Sequence, residues 1–155
     1  IANEHRCDLF LSIHANSSRD SKVQGLEVYY LNKATDAASR RLARRENAGA
    51  PQEEREIEAI VSDLIQTEAT EEAAELSRYL RRSLRKGRAV KVKTALFYVL
   101  VGAKCPGLLI ETGFLSNPKE AARLKSKAFQ TTLAESIAEG VAAYFEGLEK
   151  GRGDL

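Results

Sequence analysis

Apolar and polar residues recur with two different periods along this chain, and each period predicts a different kind of element. Residues 9–16 alternate apolar and polar positions, which is typical of a strand. Residues 25–31 are rich in β-forming side chains and predict a second strand. The short apolar run 108–110 lacks polar alternation and predicts a strand buried on both faces. Residues 94–101 fit either a strand or a short helix.

Apolar residues that recur about every 3.6 positions predict the helices. They mark residues 34–48, 52–84 and 129–148 as helical. The second of these segments is either one long helix or two helices with a break around residues 67–70. Gly87 is expected to stop it, because glycine tolerates the backbone conformation that ends many helices.

A helix start follows the apolar run at 108–110. Asn117 suits the N-cap, Pro118 the first helical position and Glu120 the third. A short helix is therefore expected from this point to about Lys125.

Together these elements predict an α/β fold with a central mixed sheet flanked by helices. Residues 1–8 look like the last turns of a helix whose beginning is absent, so the fold is expected to be incomplete at the N-terminus. We expect one domain over residues 1–150, followed by a tail over residues 151–155.

Composition adds few constraints. The chain has 155 residues, of which 43% are hydrophobic and 30% charged, and its formal net charge is +2. This balance gives no general reason to expect nucleic acid as a partner. We find no signal peptide, and no apolar run approaches the roughly 20 residues that span a bilayer. Cys7 and Cys105 are interpreted as small buried hydrophobic residues, without a disulfide or metal role.

Charge is unevenly distributed along the predicted helical segment. Residues 53–76 are rich in acids, and residues 81–93 carry bases and no acid. This order complements the helix dipole, which favours acids at the start and bases at the end. A binding patch for an anionic polymer is the alternative interpretation.

His14 and Glu111 are the candidate residues for a catalytic or metal-binding site. Both fall at predicted strand ends, where ligands gather in α/β sheets, and they can meet only through the sheet. A neutral imidazole is a common zinc ligand, and a glutamate beside an activated water is a general-base candidate. The alternatives are a packed or hydrogen-bonded histidine and a carboxylate in a structural ion pair.

Two motifs give the chain a family resemblance. Ser-Ile-His-Ala-Asn at 12–16 and Leu-Ile-Glu-Thr-Gly-Phe-Leu-Ser-Asn at 109–117 resemble the zinc-dependent N-acetylmuramoyl-L-alanine amidases with an amidase 3 type catalytic domain. Shorter similar segments lie at 2–3, 8–10, 25–29, 45–48, 97–100 and 117–120. The resemblance implies cleavage of the amide between N-acetylmuramic acid and L-alanine in peptidoglycan. It also implies a periplasmic or extracellular location.

The resemblance also assigns roles to residues. His14 matches the family's last zinc-ligating histidine, and Glu111 matches its catalytic glutamate. The family's first two zinc ligands should precede Ile1, and His5 with Cys7 is an improbable substitute. Because a catalytic zinc normally takes three protein ligands, the chain is alternatively a truncated fragment or a non-catalytic domain that binds peptidoglycan or a partner.

Some members of the family carry an inserted helical segment that covers the active site until an activator protein draws it away. Residues 34–74 lie in the corresponding position, and we place the insertion within 34–86. A glutamate of such a segment reaches the zinc. Glu46 is the favoured candidate for this autoinhibitory role, and Glu56 and Glu58 are weaker candidates. The alternative is that these acids are merely solvated.

Overall fold

A computed structural model describes residues 2–49 and 67–153 of the chain. Its ten elements follow the order β1 (Phe10–Asn16), β2 (Leu26–Leu31), α1 (Ala37–Glu46), a 3-10 turn (Asn47–Gly49), α2 (Glu68–Leu84), β3 (Val90–Ala95), a 3-10 turn (Tyr98–Leu100), β4 (Gly107–Phe114), α3 (Pro118–Leu124) and α4 (Lys127–Gly153). None of the helices within these residues combines the length and the apolar character needed to cross a membrane.

The four strands within the described residues form one sheet in the order β1-β4-β2-β3. Strands β1 and β4 run parallel, because Phe10 N donates to Pro106 O at their beginnings and Leu115 N donates to Asn16 O at their ends. Strand β2 runs antiparallel to β4, since the Glu120 carboxylate accepts hydrogen bonds from Gly25 N, just before β2, and from Phe114 N, at the end of β4. The sheet is therefore mixed, and the predicted α/β fold with a mixed sheet and flanking helices is confirmed.

Strand β4 is buried along its whole length. Leu108, Leu109 and Ile110 are each 0% exposed, which confirms the prediction of a strand without a solvent-facing side. Strand β4 is also an interior strand of the sheet, because it lies between β1 and β2.

Contacts divide the described residues into two compact units. The first comprises residues 2–12, 29–49, 67–75 and 93–109. Its core contains an edge-on ring pair, Tyr29 and Phe97, with centroids 5.1 Å apart. The Asn47 side chain donates to Leu96 O and accepts from Tyr98 N, at 2.7 and 3.0 Å. The buried residues of this core are Tyr29, Leu31, Leu42, Ala43, Ala95, Phe97, Leu100 and Leu109.

Helix α1 of the first unit begins where a side chain caps it. The Asp36 carboxylate accepts from Ser39 N at 2.7 Å, and Lys93 Nζ lies 3.2 Å from its other oxygen. The hydrogen bond from the Ser39 backbone, with further help from the Ser39 hydroxyl and Lys93, lowers the pKa of Asp36 to about 2. The cap fixes the helix start three residues later than the pattern predicted, at Ala37.

The second unit comprises residues 13–28, 76–92 and 110–153. Helices α2 and α4 approach closely there, because a Cβ at Gly140 would lie 2.5 Å from Ser83 Oγ and 2.8 Å from Leu80 Cδ2. Tyr79 and Tyr144 meet edge-on beside this contact, with ring centroids 5.8 Å apart. Glycine is therefore needed at position 140 for the two helices to pack.

Other sequence predictions also differ from the structure. Residues 2–6 form turns instead of a helix end, closed by backbone hydrogen bonds from Arg6 N to Asn3 O and from Cys7 N to Ala2 O. The third strand in chain order is Val90–Ala95, and residues 98–100 form a 3-10 turn. The last helix continues to Gly153, beyond the predicted end at residue 148.

The long helical segment is only partly covered by the described residues. Its second half forms α2, which starts at Glu68 and ends at Leu84, ahead of Gly87 with φ +77°. Thr67 Oγ1 accepts from Thr70 N at 3.3 Å, so the backbone is capped where a break was expected. The predicted helix over residues 52–66 lies outside the described residues.

Candidate functional site

His14 and Glu111 lie on neighbouring parallel strands of the second unit. The hydrogen bonds that flank them put His14 of β1 opposite Glu111 and Thr112 of β4. The Thr112 hydroxyl donates to the backbone carbonyl of His14 at 2.8 Å, which fixes the two strands at this position. The structure therefore brings together the two residues that the sequence predicted would meet through the sheet.

Both residues lie inside their strands and not at the strand ends. Strand β1 continues to Asn16 and β4 continues to Phe114, because the hydrogen-bonded ladder extends to Leu115 N and Asn16 O, 2.7 Å apart. The expectation that they end their strands is wrong in this detail.

The two side chains have different environments. His14 is half-buried, whereas Glu111 is 1% exposed and both of its carboxylate oxygens are buried. Ile13, next to the histidine, is 54% exposed. A glutamate within reach of a bound molecule can act as a general base or acid.

A second buried carboxylate holds the end of β4. Glu120 is 7% exposed, and its two oxygens accept from Gly25 N at 3.1 Å and from Phe114 N at 2.8 Å. Gly113 lies directly under it with φ +149°, and a Cβ there would be 3.3 Å from Glu120 Oε2. Glu120 thus fixes the backbone on the carboxyl side of Glu111.

Helix α3 begins as predicted and presents this carboxylate. The Asn117 side chain accepts from the backbone of Lys119 at 3.0 Å and of Glu120 at 3.3 Å, and Pro118 occupies the first turn. The cap confirms the predicted helix start, and the helix ends at Leu124, with Lys125 as its C-cap.

A third buried carboxylate joins the end of β1 to the start of β2. Asn16 Nδ2 donates to Glu27 Oε2 at 3.3 Å, and the two residues are 4% and 6% exposed. Their burial keeps this polar contact away from solvent in the same unit as His14 and Glu111.

The candidate autoinhibitory residues are placed less completely. Glu46 is the last residue of α1, in the first unit, and its Oε1 lies 3.2 Å from Arg45 Nε. Glu56 and Glu58 lie outside the described residues. The assignment of these glutamates stays a prediction.

The donor set does not amount to a complete zinc site in the part of the chain that the structure describes. No group of three or more histidine, cysteine, aspartate or glutamate side chains there could hold a metal ion. His14 offers one ligand of the kind that zinc prefers, and a catalytic zinc normally takes three.

The residues that support the pair are not among the predicted site residues. The sequence pattern predicts Glu120 only as a helix-start residue and gives no role to Thr112 or Glu27. A charged residue at position 27 within an otherwise apolar strand was an available signal. Thr112 gave no comparable signal, because a threonine in a strand is ordinary.

Fold and site together define an α/β domain that places a histidine and a buried glutamate on adjacent parallel strands. The sequence profile of the Amidase_3 family, described as N-acetylmuramoyl-L-alanine amidase, matches residues 1–143. The chain belongs to this family, and the resemblance inferred from its two motifs is confirmed.

Individual relatives agree with this assignment. The chain is 33% identical over 157 residues to the N-acetylmuramoyl-L-alanine amidase AmiA of Escherichia coli (strain K12), with 94% of this chain and 54% of AmiA covered. It therefore spans only about half the length of that relative.

Two solved structures share the fold. The catalytic domain of CwlV, an N-acetylmuramoyl-L-alanine amidase from Bacillus (Paenibacillus) polymyxa var. colistinus, superposes with a TM-score of 0.61 at 26% identity, covering 94% of this chain and 62% of that one. The CwlD amidase of Clostridioides difficile, solved in complex with the GerS lipoprotein, gives a TM-score of 0.58 at 25% identity, covering 90% and 55%.

Proposed function

We propose that this chain is part of a zinc-dependent amidase that hydrolyses the bond between N-acetylmuramic acid and L-alanine in peptidoglycan. The observation that carries the proposal is the placement of His14 opposite Glu111 and Thr112 on adjacent parallel strands, in a member of this family. The AmiA and CwlV relatives bear the name of this activity. A cell-wall substrate in turn favours a periplasmic or extracellular location.

Glu111 is the proposed general base and general acid. It takes a proton from the attacking water, whose oxygen bonds to the scissile carbonyl carbon, and then gives a proton to the departing nitrogen of L-alanine. The carbon–nitrogen bond breaks, leaving a carboxylate on the lactyl group of the sugar and a free amine on the peptide. Both burial and the anchoring of β4 by Glu120 keep this carboxylate in a fixed position.

His14 is the proposed zinc ligand, and the remaining ligands are expected outside the described residues. When bound, zinc would supply polarisation of the scissile carbonyl. The Thr112 hydroxyl on the His14 carbonyl restrains the backbone from which the imidazole projects. His14 is half-buried, so its imidazole is more accessible than the carboxylate of Glu111.

Zinc analysis tests the metal part of the proposal. The purified chain is analysed for bound zinc beside His14→Ala, with His5→Ala as the matched control, because His5 is exposed and lies in the terminal turn. We expect about one zinc per chain, lost in His14→Ala and kept in His5→Ala, if the chain or its oligomer completes the site. Bound zinc at an equal level in all three proteins would contradict the assignment of His14, whereas no zinc in any of them would mean that the zinc site is completed only in a longer protein.

A non-catalytic domain is the second candidate, and the incomplete donor set in the described residues favours it. Such a domain would bind peptidoglycan without releasing peptides. Pull-down on insoluble peptidoglycan, with release of stem peptides measured in the same tube, separates the two: retention without release supports the binding domain.

We further propose that an activator protein relieves an autoinhibited state in which the Glu46 carboxylate coordinates the zinc ion. The complex of CwlD with a lipoprotein supports the idea that amidases of this family take protein partners. Glu46→Ala, in a form of the protein with measurable activity, should raise the rate without a partner. Arg45→Ala is the matched control, because it removes the same ion pair but keeps the carboxylate. An unchanged rate in Glu46→Ala would rule out this residue and turn attention to Glu56 and Glu58.

A further inference from the structure

Two cysteines of the first unit are brought together by the segments that carry them. The Asn3 side chain donates to Gly102 O at 2.8 Å and accepts from Lys104 N at 2.9 Å. On the other side, Phe10 N donates to Pro106 O at 2.9 Å. Cys7 lies between Asn3 and Phe10 in sequence, and Cys105 lies between Lys104 and Pro106.

We propose that Cys7 and Cys105 form an intramolecular disulfide that ties the turn before β1 to the loop before β4. The Cys105 thiol lies within hydrogen-bonding reach of the Cys7 side chain, and neighbouring strands such as those joined by Phe10 N and Pro106 O lie about 5 Å apart. A disulfide spans Cα separations of about 4.4 to 6.8 Å, so the bridge fits this arrangement without moving either segment far. The interpretation of both residues as inert hydrophobic side chains does not account for their meeting.

The surroundings of the two thiols differ, which sets the order of the reaction. Cys105 is 7% exposed, whereas Cys7 is half-buried, and both are free thiols in the structure. Burial, followed by the hydrogen bond with the Cys7 side chain, raises the pKa of Cys105 to about 12. Cys7 is therefore the thiol that meets an external oxidant, and Cys105 is the one that closes the bridge.

The chemistry is thiol–disulfide exchange with a disulfide compound as oxidant, such as oxidised glutathione. Cys7 loses its proton and its sulfur attacks one sulfur of the oxidant, whose own bond breaks and releases one thiol. Cys105 then loses its proton and attacks Cys7 Sγ, and the mixed disulfide breaks and releases the second thiol. The two cysteines lose two electrons in total, and the oxidant gains them as it becomes two thiols.

The bridge would lie at the beginnings of the two strands that carry His14 and Glu111. It would close a loop of roughly a hundred residues, so it should restrict the unfolded chain strongly. The chemistry of bridge formation does not depend on the proposed amidase activity. Only the expectation of an oxidising compartment rests on that proposed function.

The experiment starts from the fully reduced 155-residue chain, which is mixed with oxidised glutathione over a range of pH. Free thiols, intact mass and a non-reducing peptide map are followed with time. Cys7→Ser and Cys105→Ser are the single-thiol controls. Asn3→Ala weakens the contact between the two segments. The wild-type chain in urea gives the rate of disulfide closure in the unfolded state.

We expect the wild type to lose both free thiols and two hydrogen atoms in mass, with one cross-linked peptide containing Cys7 and Cys105. Closure should speed up as pH rises, since Cys105 must ionise, and Asn3→Ala should slow it. It should be at least about tenfold faster in the folded chain than in urea, because the fold has already closed the loop. The oxidised protein should melt at least about 5 °C above the reduced one, a difference absent in both serine variants.

Two results would overturn the proposal. The first is a wild type that accumulates glutathione on Cys7 or forms dimers without an internal bridge. The second is closure no faster in the folded chain than in urea. Neither result bears on the amidase assays, so the two proposals fail separately.

Discussion

Replacing Glu120 by glutamine should destabilise the protein more than any change to an exposed acid. The carboxylate serves two backbone donors at once, Gly25 N at 3.1 Å and Phe114 N at 2.8 Å, and is 7% exposed. Glutamine keeps one acceptor oxygen and places an amide NH₂ where the other stood. One of the two backbone N–H groups then faces a donor, and the contact at Phe114 N is buried away from solvent.

The cost can be worked from these contacts. Losing a hydrogen bond to a charged acceptor removes about 1.5 to 3 kcal/mol, and a buried N–H left unsatisfied costs about 1 to 3 kcal/mol. These two contributions describe partly the same lost contact and are not added in full, so we expect a loss of about 3 kcal/mol in the free energy of unfolding. For a chain of 155 residues, this corresponds to a melting temperature lower by roughly 6 to 12 °C.

The assay is urea and thermal unfolding followed by circular dichroism, with Glu139→Gln as the matched control. Glu139 is 56% exposed and pairs with Lys86 across 2.6 Å, so its replacement should cost about 0.5 kcal/mol or less. Amide hydrogen exchange at Gly25 and Phe114 should also accelerate in Glu120→Gln alone. A Glu120→Gln variant as stable as Glu139→Gln, with both amides still protected, would refute the reasoning.

Two further perturbations test the local geometry. Gly113→Ala should lose about 1 to 3 kcal/mol of unfolding free energy, because φ is +149° and the new Cβ would lie 3.3 Å from Glu120 Oε2. Gly87→Ala, at φ +77° with open space around it, should lose less in the same urea titration. An equal loss in the two variants would contradict the argument from the Glu120 contact. Asp36→Asn should destabilise the protein at neutral pH, and its difference from wild type should shrink as pH falls from about 4 towards 2. The reason is that the pKa of Asp36 is lowered in the folded protein, first by the Ser39 backbone hydrogen bond. The ionised carboxylate therefore stabilises the fold at pH values above its ordinary pKa, and this stabilisation is lost as the pH falls through the pKa of the folded state. Unfolding curves across this pH range would oppose the idea if the difference stayed constant.

The elements that the sequence predicted well are those with local signals. The apolar run at 108–110 predicted a buried strand, and Asn117 with Pro118 predicted the start of α3. Each depends on side chains within a few residues, so the pattern alone contains the information.

Strand β3 shows how a misread signal misplaces an element. Val90, Lys91, Val92 and Lys93 alternate with period two, but their bases also continue the basic end of the preceding helix. The pattern at 94–101 fits either a strand or a short helix, whereas the structure has the strand at Val90–Ala95 and a 3-10 turn at Tyr98–Leu100. The alternation, and not the charge, was the signal for secondary structure.

The supporting contacts of the site could not be predicted at all. Glu120 reaches Gly25 N across 95 positions of sequence, and Thr112 reaches the His14 carbonyl across 98. Only the register of β1, β4 and β2 brings these groups together, and the register follows from the folded sheet. The pairing of His14 with Glu111 was predictable because a family motif marks each strand separately.

The central proposal is that Glu111 carries protons during amide hydrolysis. Its most direct test is the release of stem peptides from purified peptidoglycan by an active form of the protein, comparing wild type, Glu111→Gln and the surface control Glu139→Gln at equal zinc content. We predict that Glu111→Gln stays folded and binds peptidoglycan while its kcat falls by about 10² to 10⁴, and that Glu139→Gln matches wild type. A Glu111→Gln variant that releases peptides at the wild-type rate would contradict the account.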